Sequence, residues 1–378
     1  MAGIYIHIPF CRKRCHYCDF FKSTDLSQKA KLVAGLKKEL EYRASELASD
    51  EINTIYFGGG TPSVLLTDEL KDLLNTIYQN YLIAENAEIT LEANPDDLTQ
   101  AIISSYKQIG FNRLSMGIQS FSESDLKLMN RRHSVLQAIQ SVKWAKKAGF
   151  SNLSIDLIYG LPNQTIEEWE RNVRIAVELD VQHISAYNLT YHEGTVFYEQ
   201  LKKGILKELP DELSLQQFEL LIKILKEAGF EHYEISNFSK PGLYSQHNSS
   251  YWKTQKYLGI GPSAHSYNLV SRRWNVSSIS GYLDGLENNQ SYFETELLTE
   301  QDRYNETIIT GLRTIWGIKT TSVQSQFSRK YLEHFQEMAA KYGKSGHLTD
   351  TNGTISLSHE GLFISDKIMA DFMVVESC

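Results

Sequence analysis

The chain has 378 residues and a formal net charge of −8, enough for one barrel-sized domain plus a smaller one. Hydrophobic residues make up 42% and charged residues 22%, an ordinary balance for a globular protein with a large core. The acidic surplus argues against a general nucleic-acid binder. No apolar run reaches the ~18 residues of a membrane-spanning helix. No signal-peptide pattern opens the chain. The expected setting is therefore the cytoplasm, where thiols stay reduced.

The first element is an alternating apolar run, Ile4, Ile6 and Ile8, which predicts a strand over residues 3–8 that Pro9 ends. Three of the 4 cysteines follow at once: Cys11, Cys15 and Cys18, spaced C-x3-C-x2-C, while the fourth, Cys378, is the last residue. Three thiolates on a loop past a strand can hold three irons of a [4Fe-4S] cubane and leave one iron open to a small molecule. On spacing alone, zinc completed by the nearby His16 and plain structural thiols remain alternatives. An odd number of cysteines in a chain with no secretory sign argues against a disulfide.

Short β-rich runs then alternate with amphipathic helical ones. Strands are predicted at 3–8, 53–57, 88–92, 113–118, 153–158 and 183–189. Helical spacing joins Val33, Leu36 and Leu40 (after the capping-type Asp25 and Ser27), then Leu66, Leu70, Leu73, Leu74 and Ile77. It returns in Val135, Ala138, Ile139, Val142 and Ala145, with Gly149 just past the end, and in Trp169, Val173 and Val177. Six β-α units in a row argue for a parallel sheet with helices outside. In such folds function gathers at the C-terminal ends of the strands. Here those ends carry the cysteines, Gly58-Gly59-Gly60-Thr61-Pro62, Glu92-Ala93-Asn94, Gln119-Ser120-Phe121, Asp156 ahead of Tyr159-Gly160, and Asn188 with Thr190.

Residues 195–290 are mixed, with one clear helix over 214–227 ahead of Gly229. From about residue 296 the pattern changes to three helices and a short hairpin around Thr354–Leu357, which reads as a small winged-helix-like domain. Without a basic face it reads as a packing or substrate-covering module rather than a DNA reader.

The string Tyr5-x-His7-Ile8-Pro9-Phe10-Cys11-x-x-x-Cys15-x-Tyr17-Cys18 resembles the radical S-adenosylmethionine (SAM) superfamily. Within it, the string resembles the family of oxygen-independent coproporphyrinogen III oxidases and their heme-chaperone branch. The resemblance covers nearly the whole chain. It implies an α/β fold, a radical SAM (β/α)6 partial TIM barrel with a small C-terminal winged-helix-like domain. The expected divisions are a core at 1–235, an extension with a heme motif at 236–295, and at 296–378 a helical domain like that of the oxidases. It also implies a [4Fe-4S] cluster on Cys11, Cys15 and Cys18, whose open iron is chelated by SAM. In that family the reduced cluster splits SAM to a 5'-deoxyadenosyl radical.

Several residues take roles from the resemblance that their type alone leaves open. Gly59, Gly60 and Thr61 match a G-G-G-T-P motif that contacts SAM, although a tight turn also uses such glycines. Glu92, Gln119 and Asp156 match SAM-binding positions, although each type also serves as a capping or solvated group. Arg131 can pair its planar fork with the SAM carboxylate, although its neighbour Arg132 reads as an ordinary surface arginine. Tyr5 and Tyr17 are placed beside the cluster and SAM, where plain barrel aromatics would also fit, and Thr190 is a weaker match.

His247-Asn248-x-x-Tyr251-Trp252 matches the H-N-x-x-Y-W signature of the heme-chaperone branch, which the true oxidases lack. Imidazole is a common axial ligand of heme iron, and aromatic neighbours suit a porphyrin face. The expected heme contacts are thus His247, Tyr251 and Trp252, with His265 and His16 as competing ligands. Two departures from the oxidases point the same way: Phe20 stands where they carry a further cysteine, and only four residues precede Tyr5 where they carry an arm. The resemblance therefore implies a chaperone that binds heme and hands it to acceptor apo-hemoproteins, and it allows a homodimer. The alternative is an oxidase that decarboxylates coproporphyrinogen III.

Overall fold

Strand β1 (Ala2–Ile8) has Ile4, Ile6 and Ile8 fully enclosed, as a strand between parallel neighbours requires. It opens the parallel ladder that continues through β2 (Ile52–Gly59), β3 (Ile83–Ala93), β4 (Arg113–Gln119), β5 (Leu153–Tyr159) and β6 (His183–Asn188). Helices Lys29–Tyr42, Thr67–Asn80, Gln100–Gln108, Val135–Lys147 and Ile166–Glu178 make the crossovers. The chain thus builds the expected partial barrel. This computed structural model describes residues 2–375, and Cys378 lies outside them.

The sheet is wider than six units. Strands β7 (Glu231–Glu234) and β8 (Asn237–Ser239) extend it beyond β6. On the other side β9 (Lys256–Ile260) pairs in parallel with β1, and β10 (His265–Tyr267), β11 (Ser271–Asn275) and β12 (Phe293–Leu297) follow antiparallel. All twelve form one sheet with β12 and β7 at opposite ends, so the barrel is open.

Local chemistry starts most of the helices. Ser134 with Gln137 and Thr165 with Glu168 form reciprocal capping boxes. The first helix differs from its sequence reading. It begins at Lys29 with no side-chain cap, because the Asp25 carboxylate is spent on the backbone N–H of Ser27 in the preceding turn.

A buried ion-pair network fixes β9 and the loop after it to that helix. Arg43 donates to Glu39, Glu46 and the Gly259 carbonyl, at 2.8 Å for the last. Glu39 in turn accepts from the Gly261 N–H, Asn275 and Tyr282. Removing Arg43 leaves the fully enclosed Glu39 carboxylate without its cation, which costs about 3–5 kcal/mol.

Past β12 the chain folds on a second apolar core that includes Tyr304, Ile308, Phe335 and Phe372. The order is helix Glu300–Leu312, β13 (Ile318–Lys319), helices Thr320–Gln326 and Arg329–Lys344, then the hairpin β14 (Leu348–Thr351) and β15 (Thr354–Leu357). That is a winged-helix-like arrangement. The Arg313 guanidinium ties it to the barrel through Glu234 at 2.8 Å. Among the described residues no helix is long and apolar enough to cross a membrane.

Candidate functional site

The C-terminal ends of the six barrel strands surround one cavity of about 420 Å³, into which all three cysteines of the loop project. That loop is clipped back onto the end of β1: Ser23 donates its N–H to the Pro9 carbonyl at 2.6 Å, and Cys11 donates to the Ser23 carbonyl at 2.9 Å. Cys11 is buried and Cys15 and Cys18 are half-buried. Burial pushes the Cys11 thiol up to about 11, against the pull of the Thr61 hydroxyl, which donates to its sulfur at 3.2 Å. His16 engages the Leu128 carbonyl at 2.9 Å and packs its ring on Phe197, so its Nδ1 does not complete a zinc site with the cysteines. Among the described residues no three His, Cys, Asp or Glu side chains are placed to grip a single ion. A cubane asks for something else, three sulfurs spread around a volume that four irons and four sulfides fill.

The G-G-G-T-P turn brings the end of β2 against this loop. A Cβ at Gly60 would lie 2.8 Å from the Phe10 carbonyl, and one at Gly59, whose φ is +105°, would meet the His7 ring at 2.6 Å. These glycines are demanded by close packing on β1, which also leaves the floor of the cavity bare. From Thr61 a chain of polar contacts crosses the rim. Asn94 Nδ2 donates to Thr61 Oγ1 at 3.2 Å, and Arg131 Nη2 donates to Asn94 Oδ1 at 2.6 Å and to the Gly117 carbonyl at 2.6 Å. Arg131 Nη1 reaches Cys15 Sγ at 3.3 Å, while its buried Nε has no partner among the described residues. Arg132, by contrast, lies at the surface and pairs with Asp96 at 2.9 Å.

Glu92 and Asp156 face the same cavity. Burial, reinforced by the charge of Asp156, raises the Glu92 carboxyl to about 7, although the Tyr56 hydroxyl donates to it at 2.7 Å. Burial likewise raises Asp156 to about 6, opposed by hydrogen bonds from Ser185 and Ser115. Carboxyls poised this way can ionise in response to a bound cation. Gln119 closes the rim from a left-handed backbone, φ +69°, where β4 breaks register with β5. For a residue other than glycine that is a strained conformation. Tyr17 also lines the cavity, together with Thr190.

Tyr5 is placed elsewhere. Its ring packs between His7, Tyr56 and His247, and it lines a second cavity of about 590 Å³. Tyr251 and Trp252 line that cavity too, from the short helix Gln246–Trp252. Ser245 caps the helix, and the Glu88 carboxylate of β3 accepts from the N–H groups of Gln246 and His247. His247 itself points into the barrel and is 1% exposed. Its Nδ1 meets Thr54 Oγ1 and its Nε2 meets the Tyr251 hydroxyl, both at 2.8 Å. As placed, neither nitrogen of His247 is free to bind iron. Burial, then the charge of Arg113, lowers its pKa to about 3, so the ring is neutral.

The sequence reading placed Asn94 on the rim as the end of a strand but gave it no partners; it links Arg131 to Thr61. That reading passed over Ser115 and Tyr187, which line the same cavity. The residues present suit the groups implied for them. Three cysteines, a bare glycine floor, an orphaned guanidinium nitrogen and two raised carboxyls are what a sulfur-held cluster and a zwitterionic, cationic cofactor need.

Residues 5–176 match the radical SAM superfamily, and residues 298–364 match the HemN C-terminal domain. A protein of Bacillus subtilis named heme chaperone HemW is 33% identical over 376 residues, covering 99% of each chain. A heme chaperone HemW of Lactococcus lactis is 33% identical over 98% of this chain and 97% of its own. The solved coproporphyrinogen III oxidase HemN of Escherichia coli, a radical SAM enzyme, superposes with a TM-score of 0.85 at 24% identity, covering 98% of this chain and 89% of that one. That likeness establishes the shared fold.

Proposed function

The chain belongs to the HemW family of the radical SAM superfamily, and from that membership we propose that it is a heme chaperone. In this reading it holds one [4Fe-4S] cluster and SAM at the barrel rim, binds heme, and passes heme to apo-hemoproteins in the cytoplasm. Cys11, Cys15 and Cys18 hold three irons. When bound, the cluster supplies one open iron and an electron. Arg131 offers its unpaired Nε to the SAM carboxylate. Glu92 and Asp156 accept from the amine and ribose hydroxyls. Gly59, Gly60 and Thr61 leave room for the methionyl end, and Gln119 and Tyr17 close over it. Tyr5 acts from behind, through Tyr56 and His7 rather than from the cavity surface.

The observation that carries this reading is a pair of neighbouring cavities with different chemistry. The first carries the three cysteines, the Glu92 and Asp156 carboxyls and the Arg131 guanidinium; the second is walled by Tyr251, Trp252 and other aromatics. Phe20 lines both and is 67% exposed. A hydrophobic side chain at that junction suits a porphyrin face beside a cofactor site.

The test uses the full chain reconstituted anaerobically with iron and sulfide. It should carry one cluster, take up hemin with a Soret band, deliver it to an apo-hemoprotein, and leave SAM intact when given coproporphyrinogen III and a reductant. Consumption of SAM with conversion of coproporphyrinogen III to protoporphyrinogen IX would instead assign the chain to the oxidases.

A further inference from the structure

Building on the SAM reading above, we propose that Arg113 is a positioning residue for that site: buried beneath Glu92 and Asp156, it supplies the cation that lets both carboxylates be charged together when the cofactor's amine arrives.

Alternation along the strands puts Arg113 there. Residues two apart on a strand face the same side of the sheet. Arg113, Ser115, Gly117 and Gln119 therefore share the inner face of β4, and the last three line the cofactor cavity. Glu88, Thr90 and Glu92 share the inner face of β3 in the same way. Thr90 is level with Arg113, Glu92 with Ser115, and Asp156 of β5 with Gly117. Arg113 thus lies one inward-facing position below Glu92, about 6–7 Å of strand, and two below Asp156.

Its surroundings leave its charge available. Arg43 and Arg113 are the two buried arginines or lysines among the described residues. Arg43 is met by two carboxylates, Glu39 and Glu46. Arg113, 1% exposed, has Glu88 at 3.9 Å. Glu88 already accepts from the backbone N–H groups of Gln246 and His247, at 3.2 and 3.1 Å. The Nε and Nη1 of Arg113 have no hydrogen-bond partner among the described residues, and neither has Thr90 Oγ1 beside it. A buried guanidinium with two open donors is costly unless other charges answer it.

The acids above it are the groups that can. Burial raises the Glu92 and Asp156 carboxyls, and the charge of Arg113 opposes that rise in both. The other titratable groups around Arg113 are neutral near pH 7. Burial raises Tyr56 and Tyr233, and burial followed by Arg113 lowers His183 and His247. Arg131 also acts on Asp156, but it reaches Cys15 Sγ and, in the reading above, answers the SAM carboxylate. Glu88, Glu92 and Asp156 therefore share one interior cation until the cofactor brings its own.

The test is a calorimetric SAM titration of cluster-loaded full-length protein between pH 6 and pH 9. Arg113→Met is set against wild type, and Glu88→Gln/Arg113→Met against Glu88→Gln. The second pair removes Arg113 without leaving Glu88 as an unpaired buried charge, so it keeps the comparison open if the single variant does not fold. In each pair, loss of Arg113 should move the midpoint of the affinity-against-pH curve up by about one unit. That is about tenfold weaker binding at pH 7, regained near pH 9. Arg113→Lys should bring the midpoint back towards wild type. Without ligand, a carbon NMR titration of the Glu92 carboxyl, assigned with Glu92→Gln, should show the same upward move. A loss of affinity equal at every pH, with the Glu92 midpoint unmoved, means that Arg113 only holds the barrel together; the assignment is then wrong and the SAM reading stands. If the wild type shows no saturable SAM binding, both fall together.

Discussion

The Tyr56 hydroxyl donates a 2.7 Å hydrogen bond to Glu92, and the same Tyr56 ring carries the His247 imidazole on its face, with centroids 5.0 Å apart. One aromatic ring therefore separates the carboxylate of the first cavity from the helix that carries H-N-x-x-Y-W. In a close-packed interior a ring so placed cannot shift on one side alone. Beyond His247 the same contacts continue to Tyr251, which lines the second cavity.

The raised carboxyls give SAM binding a pH dependence. In the free protein Glu92 ionises at about 7 and Asp156 at about 6, chiefly because burial disfavours their charge. A cationic ligand selects the ionised form, so binding releases protons and affinity rises with pH. From Glu92 alone the gain between pH 6 and pH 8 is about tenfold, because the ionised fraction rises about tenfold across its pKa. Calorimetry in buffers of different ionisation enthalpy reads both the affinity and the proton release. An affinity that is flat or falls over that window would remove Glu92 from the binding step.

The same burial costs stability. The folded pKa of Glu92 lies above its unfolded value, so the fold favours the neutral acid. The penalty is absent below about pH 4.5, grows as pH rises, and is complete above about pH 7. Glu92→Gln keeps an acceptor for Tyr56 and carries no charge. It should stabilise the cofactor-free protein by about 1–3 kcal/mol at pH 7.5 and by nothing near pH 4.5, while weakening SAM binding. Denaturant unfolding at the two pH values checks the sign.

The barrel was legible because its strands announce themselves. Ile4, Ile6 and Ile8 alternate, Pro9 and the glycines punctuate, and four of the five crossover helices show their own period, the short Gln100–Gln108 being the one missed. The cysteine spacing was equally local. The failures were non-local. Strand β9 is five residues long and finds its partner β1 some 250 residues away, which no window of sequence reveals. The H-N-x-x-Y-W string carries no local signal of the direction in which each side chain turns. Glu88, 159 positions from His247, holds that helix so that the imidazole turns inward. Tyr5 was read as a cofactor contact, yet its neighbours on β2 and on that helix draw it to the second cavity.

Cys15→Ala should separate cluster from fold. The Cys15 side chain is half-buried, and its hydrogen-bond partner is Arg131 at 3.3 Å. Arg131 keeps Asn94 and the Gly117 carbonyl without it. The variant should lose the brown colour, the acid-labile sulfide and SAM binding, with unfolding free energy changed by only about 0.5 kcal/mol. Retention of a full cluster after anaerobic reconstitution would exclude Cys15 as a ligand.

His247→Ala should act first on stability. The substitution leaves Thr54 Oγ1 and the Tyr251 hydroxyl without their ring partner. It also opens a void beneath Tyr56 and Tyr5. Together these cost about 2–4 kcal/mol at neutral pH. The loss has a pH signature. Burial holds the folded pKa at about 3, below the unfolded value near 6.5, so below pH 6.5 the unfolded chain binds a proton that the native state refuses. The wild type thus loses His247's share of stability as pH falls from 6.5, and the alanine variant has no such share to lose. The gap between the two proteins should narrow by about 2 kcal/mol between pH 7.5 and pH 5. Urea unfolding at both pH values measures it, and a gap that stays constant or widens means that His247 is not a neutral, buried ring.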